Sequence, residues 1–220
     1  MALAMDTETA GLDPGDAVYV IALHDPRCSS HCAVFDIDRH PGKHVPLAVD
    51  AMAKWAGEVC SFNGTKFDFH MLAAATDDVF VKRQCATLAL EHTDIMLQFA
   101  AAKGYYASLE SFARATLGHG KIGTGAAVVD DWALGKYDEI REYCADDAKL
   151  TSELHEYGSA YGRLKRVTKS GKTQIWALSR AKWLPAWLAI DSTSQVDVSW
   201  MDNPPDIAAA ADWAVDTLAK

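Results

Sequence analysis

The sequence predicts an α/β fold, a mixed β-sheet flanked by helices, on three observations. Three short apolar runs separated by turn chemistry fill the first 37 residues, strand and helix patterns alternate after them, and one long helical stripe follows. Ala2 to Met5 and Ala17 to Leu23 are joined by GLDPGD, a glycine, proline and aspartate cluster of the kind that turns a hairpin. Cys32 to Ile37 is a third run, so the chain is expected to open with three antiparallel strands. Pro46 to Ala56 has helical spacing, Val59 to Phe62 is a short strand, and Asn63-Gly64 turns the chain into a helix from Lys66 to Ala75. Glu91 to Ile95 predicts another strand end. Helical patterns follow at Met96 to Lys103 and Ser108 to Leu117, the second stopped by Gly118 and Gly120, and a glycine-rich loop, GKIGTGAA, comes next. The longest periodic segment runs from Tyr137 to Leu164. KSGK at 169–172 predicts a turn between two extended pieces, and Asp206 to Leu218, after NPP, predicts a terminal helix. The expected organisation is a core over 1–162 with a C-terminal extension, 163–220, packed on the same domain.

The 220 residues are 50% hydrophobic and 23% charged, which suits one globular domain and excludes a disordered or collagen-like chain. No apolar run reaches the ~18 to 20 residues a membrane helix requires; Trp183 to Ile190 comes nearest and is broken by Pro185. MALAMDTE has no basic n-region, which argues against a signal peptide. A net charge of -9 argues against a broad basic surface for long duplex DNA and leaves room for a local basic patch. Five scattered cysteines, an odd number, predict free thiols in a reducing, cytoplasmic compartment.

Asp6 and Glu8 lie two apart at the end of the first strand, so strand alternation sends both carboxylates to one side. Like charges side by side are tolerable when a cation lies between them, and hard oxygen ligands suit Mg²⁺ or Mn²⁺. A solvated strand end leading into a turn is the simpler account of D-x-E taken alone. The long helix is more selective. Ile140, Tyr143, Asp147, Leu150, Leu154 and Tyr157 form one stripe, whereas Asp146 falls with Glu139, Glu142, Lys149, Glu153 and Glu156 on a polar one. A bare carboxylate in an apolar stripe is costly unless protonated, paired or bound to metal, so the pattern selects Asp147, with Tyr143 one turn before it. A core tyrosine beside an aspartate bonded to backbone N–H groups is the alternative. In SFNGTKFD a strand end and a turn lead to Asp68, which can fold back toward the sheet edge to meet Asp6 and Glu8. An acid favoured by the helix dipole accounts for Asp68 alone.

Together the order D-x-E-x-x-G-L, N-x-x-x-F-D and Y-x-x-x-D-A-x-L-T resembles the DEDD superfamily of 3′-5′ exonucleases, in its tyrosine-bearing branch. AMDTETAGLD (Ala4 to Asp13), FNGTKFD (Phe62 to Asp68) and YCADDAKLTSELH (Tyr143 to His155) are similar to the three motifs of family A polymerase proofreading domains and of ribonuclease D. The resemblance covers Met1 to Tyr157 and implies a ribonuclease H-like fold, three antiparallel strands followed by parallel ones. It also implies that Asp6, Glu8, Asp68 and Asp147 hold two divalent ions, Mg²⁺ or Mn²⁺, and that Tyr143 orients the attacking water. Two cations ~3.5 to 4 Å apart activate a water on one side of a phosphodiester and stabilise the leaving oxygen on the other. An ordinary phenol pKa of ~10 suits tyrosine to positioning rather than to proton abstraction. Thr9 and Leu12 match positions that touch the terminal nucleotide, Leu12 as a wedge against a base or, alternatively, packed under its own turn. Thr7 and Phe67, in the same motifs, complete the expected contacts. Asn63 is a turn residue or a substrate contact, and Asp94, at a strand end, is expected to be structural or to act from behind the site, a direct catalytic role being the alternative.

Arg163 to Lys182 holds seven basic residues and no acid, interleaved with Trp176 and followed by Trp183 and Trp187. It fits guidance of a single strand, with Lys165 and Arg166 on phosphates, and it fits a solvated hairpin with core tryptophans. His24, Cys28, His31 and Cys32 are zinc-ligand types but lack a distant second half, so free cysteines are expected. The expected function is a metal-dependent 3′-5′ exonuclease that releases nucleoside 5′-monophosphates from single-stranded 3′ ends, DNA placed slightly ahead of RNA. A separate polymerase or helicase is the expected protein partner. RNA 3′-end processing, scavenging of short oligonucleotides and a catalytically silent binding module are the alternatives.

Overall fold

In a computed structural model the chain is described over residues 1–28, 32–178, 182–192, 201, 203 and 205–219. β1 (Ala2–Thr9) is the central strand of a five-stranded sheet of order β3-β2-β1-β4-β5. β2 (Val18–His24) runs antiparallel to β1, and β3 (Cys32–Asp36) antiparallel to β2. β4 (Glu58–Ser61) is parallel to β1, and β5 (Thr93–Asp94) is parallel to β4. This is the mixed topology expected from the sequence. The β1–β2 register shifts between Glu8 and Thr9, an irregularity at the strand end that carries the acids.

The helices depart from expectation in instructive places. α1 (Pro41–Ala53) begins before Pro46 because Pro41, with its fixed φ, opens its first turn and Pro46 is absorbed inside. α2 (Asp68–Ala74) follows the Asn63-Gly64 turn. α3 (Val79–Glu91) is absent from the sequence reading. Asp78 caps it by accepting from the N–H groups of Phe80 and Val81, and Val81, Cys85, Ala86 and Ala89 are its buried side. α4 (Ile95–Lys103) and α5 (Leu109–Thr116) lie where periodicity placed them. The glycine-rich loop ends in a 3₁₀ turn and an unexpected short α6 (Val128–Ala133), which Trp132 fastens to β2 by stacking on Tyr19, 3.9 Å between centroids. α7 (Tyr137–Tyr161) stops at Gly162, whose φ of 64° is left-handed, and the next residue begins a strand. β6 (Arg163–Val167) and β7 (Thr173–Ala177) then pair as the hairpin predicted around KSGK. α8 (Ala186–Asp191) and α9 (Asp212–Ala219) follow, α9 preceded by a 3₁₀ turn over Ala208–Ala211 rather than by one continuous helix. Among the described residues no helix is long and apolar enough to cross a membrane.

Both faces of the sheet are covered. Leu3 and Met5 of β1 and Ile21 and Leu23 of β2 pack with α1, α2, α3 and Ala214 of α9. Val20 and Ala22 of β2 pack with Ile140, Tyr143, Cys144 and Ala148 of α7. Alternate residues of β2 therefore serve two cores, which is why that strand is apolar almost throughout. A further cluster joins α4, α5 and the second half of α7 to Leu164, Trp176, Leu178 and Trp183 of the C-terminal segment. Phe112 lies at its centre, edge-on to Phe62, Phe99 and Trp176, and fully buried. Phe112→Ala is expected to cost about 3 to 5 kcal/mol in stability by urea unfolding, because both a large transfer term and a cavity result.

Candidate active site

The acids expected from the sequence converge on one end of the sheet. Asp6 and Glu8 come from the last half of β1, Asp68 is the first residue of α2, and Tyr143 and Asp147 share a face of α7 where it crosses β1. Thr7, between the two β1 acids, donates its backbone N–H (3.0 Å) and its hydroxyl (2.5 Å) to Asp68 Oδ1. α2 is thereby tied to the central strand. The Asn63–Phe67 turn before Asp68 is held by Asp94. One Asp94 oxygen accepts from Asn63 N–H (2.9 Å) and Leu97 N–H (3.0 Å), the other from Thr65 N–H (3.0 Å). Asp94 is thus structural, a cap for α4 and a clamp on the turn. Asn63 is a turn residue with a left-handed φ of 80°, a conformation asparagine tolerates.

Lys121 is the member of the site that sequence reasoning missed. It stands in the glycine-rich loop, its N–H donates to Glu110 Oε2 (2.8 Å), and its ammonium pairs with Asp147 Oδ2 and lies over the Tyr143 ring, 4.9 Å from the centroid. A lone lysine in a polar loop carries no periodic signal, and the loop's path alone brings it here. Gly123 lets that path hug the site, since a Cβ there would stand 3.1 Å from Tyr143 Cδ2.

Burial and mutual repulsion dominate the electrostatics. Burial first, then Glu8, Asp68 and Asp147, hold the Asp6 carboxyl well above the usual range. Glu8 is pushed up to about 8 by burial and then by Asp147, and Asp68 to about 7 by burial against the pull of Thr7. Burial also raises Asp147, with Lys121 opposing it. Burial works against the Lys121 charge, yet Asp147 holds the ammonium above its ordinary pKa, and burial raises the Tyr143 phenol. Asp6 Oδ2 and Asp147 Oδ1 are buried with no hydrogen-bond donor. Buried, crowded carboxylates with undonated oxygens are a donor set for hard divalent cations, so the residues fit Mg²⁺ or Mn²⁺. Among the described residues, the one set of three ligand atoms within 4.8 Å of each other is Asp6, Glu8 and Cys144. Cys144 Sγ donates to the Asp6 carbonyl at 3.4 Å, and Asp68 and Asp147 lie outside that set.

A cleft of about 480 Å³ opens beside Glu8, lined by Thr7, Thr9, Leu12, Phe67 and Val129 among others. Leu12 is 84% exposed at its rim and does not pack under its own turn. Two of the lining residues also bond within the chain: Thr7 donates its N–H and hydroxyl to Asp68, and the Thr9 hydroxyl donates to the Gly11 carbonyl (2.6 Å). Lys165 and Arg166 are not among the residues lining the cleft. Lys165 pairs its backbone with Thr116, and Arg166 donates to Tyr105 Oη (2.7 Å) and Gln174 Oε1 (2.8 Å) with its guanidinium over the Phe99 and Tyr105 rings. Trp176 and Trp183 are core, while Trp187 is 52% exposed. Of the possible zinc ligands His24 is buried and Cys28 exposed, whereas His31 and the Cys32 side chain lie outside the described residues.

Residues 3–158 match the model of a family described as the RNase_H superfamily. The chain belongs to the ribonuclease H superfamily. The match spans all five strands of the main sheet and ends within α7, so every acid above lies inside it. That superfamily includes nucleases, and membership is consistent with nuclease activity. Comparison with curated proteins finds no match.

A carboxyl whose pKa is higher folded than unfolded favours the fold while protonated. That contribution is complete below the ordinary carboxylate range of roughly 4 and is lost as pH rises through about 7 for Asp68 and about 8 for Glu8. In EDTA the melting temperature is expected to fall from acid to mildly alkaline pH, and Mn²⁺ to restore it at the alkaline end. Glu8→Gln should flatten the decline; a parental slope in that variant would remove Glu8 from its cause.

Proposed function

We propose that this superfamily member is a two-metal-dependent 3′-5′ exonuclease of the tyrosine-bearing DEDD type, acting on single-stranded 3′ ends. One observation carries the reading: three buried carboxylates, Glu8, Asp68 and Asp147, and the partly buried Asp6 gather with Tyr143 at one end of the sheet beside an apolar cleft. In this reading the four acids hold two Mg²⁺ or Mn²⁺ ions, which when bound lower the pKa of the attacking water and neutralise charge at the phosphate. The chain's own residues do the rest. The Tyr143 hydroxyl orients the water by hydrogen bonding, and its raised pKa keeps it protonated and able to donate. Leu12 and Phe67 receive the terminal base against their apolar surfaces, which turns the last phosphodiester toward Glu8. Lys121 keeps Asp147 in place and adds positive charge on the tyrosine side. The chain would act in a reducing compartment, on ends exposed by fraying or delivered by a separate polymerase or helicase.

The test uses 5′-labelled and 3′-labelled single strands, DNA and RNA in parallel, with Mg²⁺, Mn²⁺ or EDTA. A metal-dependent ladder on the 5′-labelled strand with early release of the 3′ label is expected, and the faster sugar identifies the substrate. Asp6→Ala and Asp147→Ala should abolish it, and Tyr143→Phe should lower kcat by roughly 10²-fold with less effect on KM. Silence of the parent on every substrate, with tight strand binding, would replace the enzyme by a binding module.

A further inference from the structure

The last helix belongs to none of the three motifs, yet it reaches the turn that presents Asp68. Trp213, the second residue of α9, donates its indole N–H to the Thr65 carbonyl at 2.8 Å. Its ring stacks on His70 of α2, planes 3° apart and centroids 4.6 Å apart. Thr65 and His70 bracket Asp68 in sequence, so one side chain grips the chain on both sides of the carboxylate. The grip matters because α2 cannot anchor its own start: Phe67 occupies the N-cap position and makes no side-chain cap bond. Beyond its own backbone bonds, Phe67 N–H to the Asn63 carbonyl and Phe69 N–H to the Gly64 carbonyl, the turn is fixed from outside. Asp94 takes the Thr65 N–H, the Thr65 hydroxyl donates to the Ala89 carbonyl (3.2 Å), and Trp213 takes the Thr65 carbonyl. α9 is itself seated, with Ala214 fully buried and Trp213 and Leu218 packed in the α1–α3 core. At its far end Arg83 donates to the Leu218 carbonyl (3.2 Å).

We infer that Trp213 is a positioning residue for Asp68, through which α9, a helix beyond the superfamily match, sets the metal affinity of the site. The inference rests on the proposed role of Asp68 as a metal ligand. Trp213→Phe keeps an aromatic ring over His70 and removes the donor to Thr65. Arg83→Ala loosens the other end of α9 and leaves the turn untouched. Mn²⁺ is titrated into the metal-free 220-residue proteins by calorimetry, without substrate, and kcat and KM are measured on the 5′-labelled strand. Trp213→Phe is expected to bind Mn²⁺ roughly tenfold more weakly and to lose kcat with KM little changed, while Arg83→Ala binds as the parent does. Parental affinity in Trp213→Phe would overturn the inference, and so would equal weakening in both variants, which would mean that α9 acts through general stability. If Trp213→Phe does not fold, His70→Ala removes the stacking surface from the α2 side; it is expected to weaken Mn²⁺ binding, and parental binding in it overturns the inference. A parent that takes up no Mn²⁺ fails differently, because it refutes the reading of the acids themselves.

Discussion

Mutual repulsion among buried carboxylates is the constraint around which this molecule is arranged. Asp6, Glu8, Asp68 and Asp147 each have a carboxyl pKa raised first by burial, and Asp6 and Glu8 are raised further by the charges of the other acids. A fold gains nothing from such crowding by itself, since each acid would be more stable in water. The acids must therefore be held against their own preference, and much of the surrounding structure supplies the hold.

The hold is built from backbone donors and from packing. Thr7 donates twice to one oxygen of Asp68, so the spacer in the D-x-E motif couples β1 to α2. Asp94 gathers three backbone N–H groups and fixes the turn relative to α4. Behind that turn, Ser61 and His92 are paired at 2.7 Å, and the Ser61 hydroxyl accepts from Gly64 N–H. On the opposite side α7 lies close against β1, where the Cys144 thiol donates to the Asp6 carbonyl at 3.4 Å. Lys121 supplies the one cation paired with the acids among the described residues.

The C-terminal segment illustrates how composition and placement differ. Its basic and aromatic residues suggest a strand-guiding surface, but Trp176 and Trp183 fill a core shared with α5 and α7. Trp183 donates to the His155 carbonyl at 3.0 Å, and the His155 ring pairs with Glu58 of β4. Arg166 lies over Phe99 and Tyr105 because a guanidinium is weakly hydrated and flat enough to cover rings. The segment is a structural partner of the superfamily core as much as a surface.

The sequence by itself determined the mixed α/β architecture with three antiparallel strands at its start, and it singled out Asp6, Glu8, Asp68, Tyr143 and Asp147 as candidates for one site. The physical reason is local: alternation along β1 and a 3.6-residue period along α7 decide which side chains share a face, and both signals are carried by neighbours in the chain. It left out α3 because tertiary contacts, rather than a clean apolar stripe, stabilise a helix whose polar and small residues are mixed. It also missed Lys121, Thr7's service to Asp68 and Trp213's grip on Thr65. Each joins residues that periodicity cannot relate: Lys121 meets Asp147, Thr7 meets Asp68 across 61 positions, and Trp213 meets Thr65 across 148. Only the closed fold brings such pairs within hydrogen-bond distance, and so only the tertiary structure decides how firmly the acids are held.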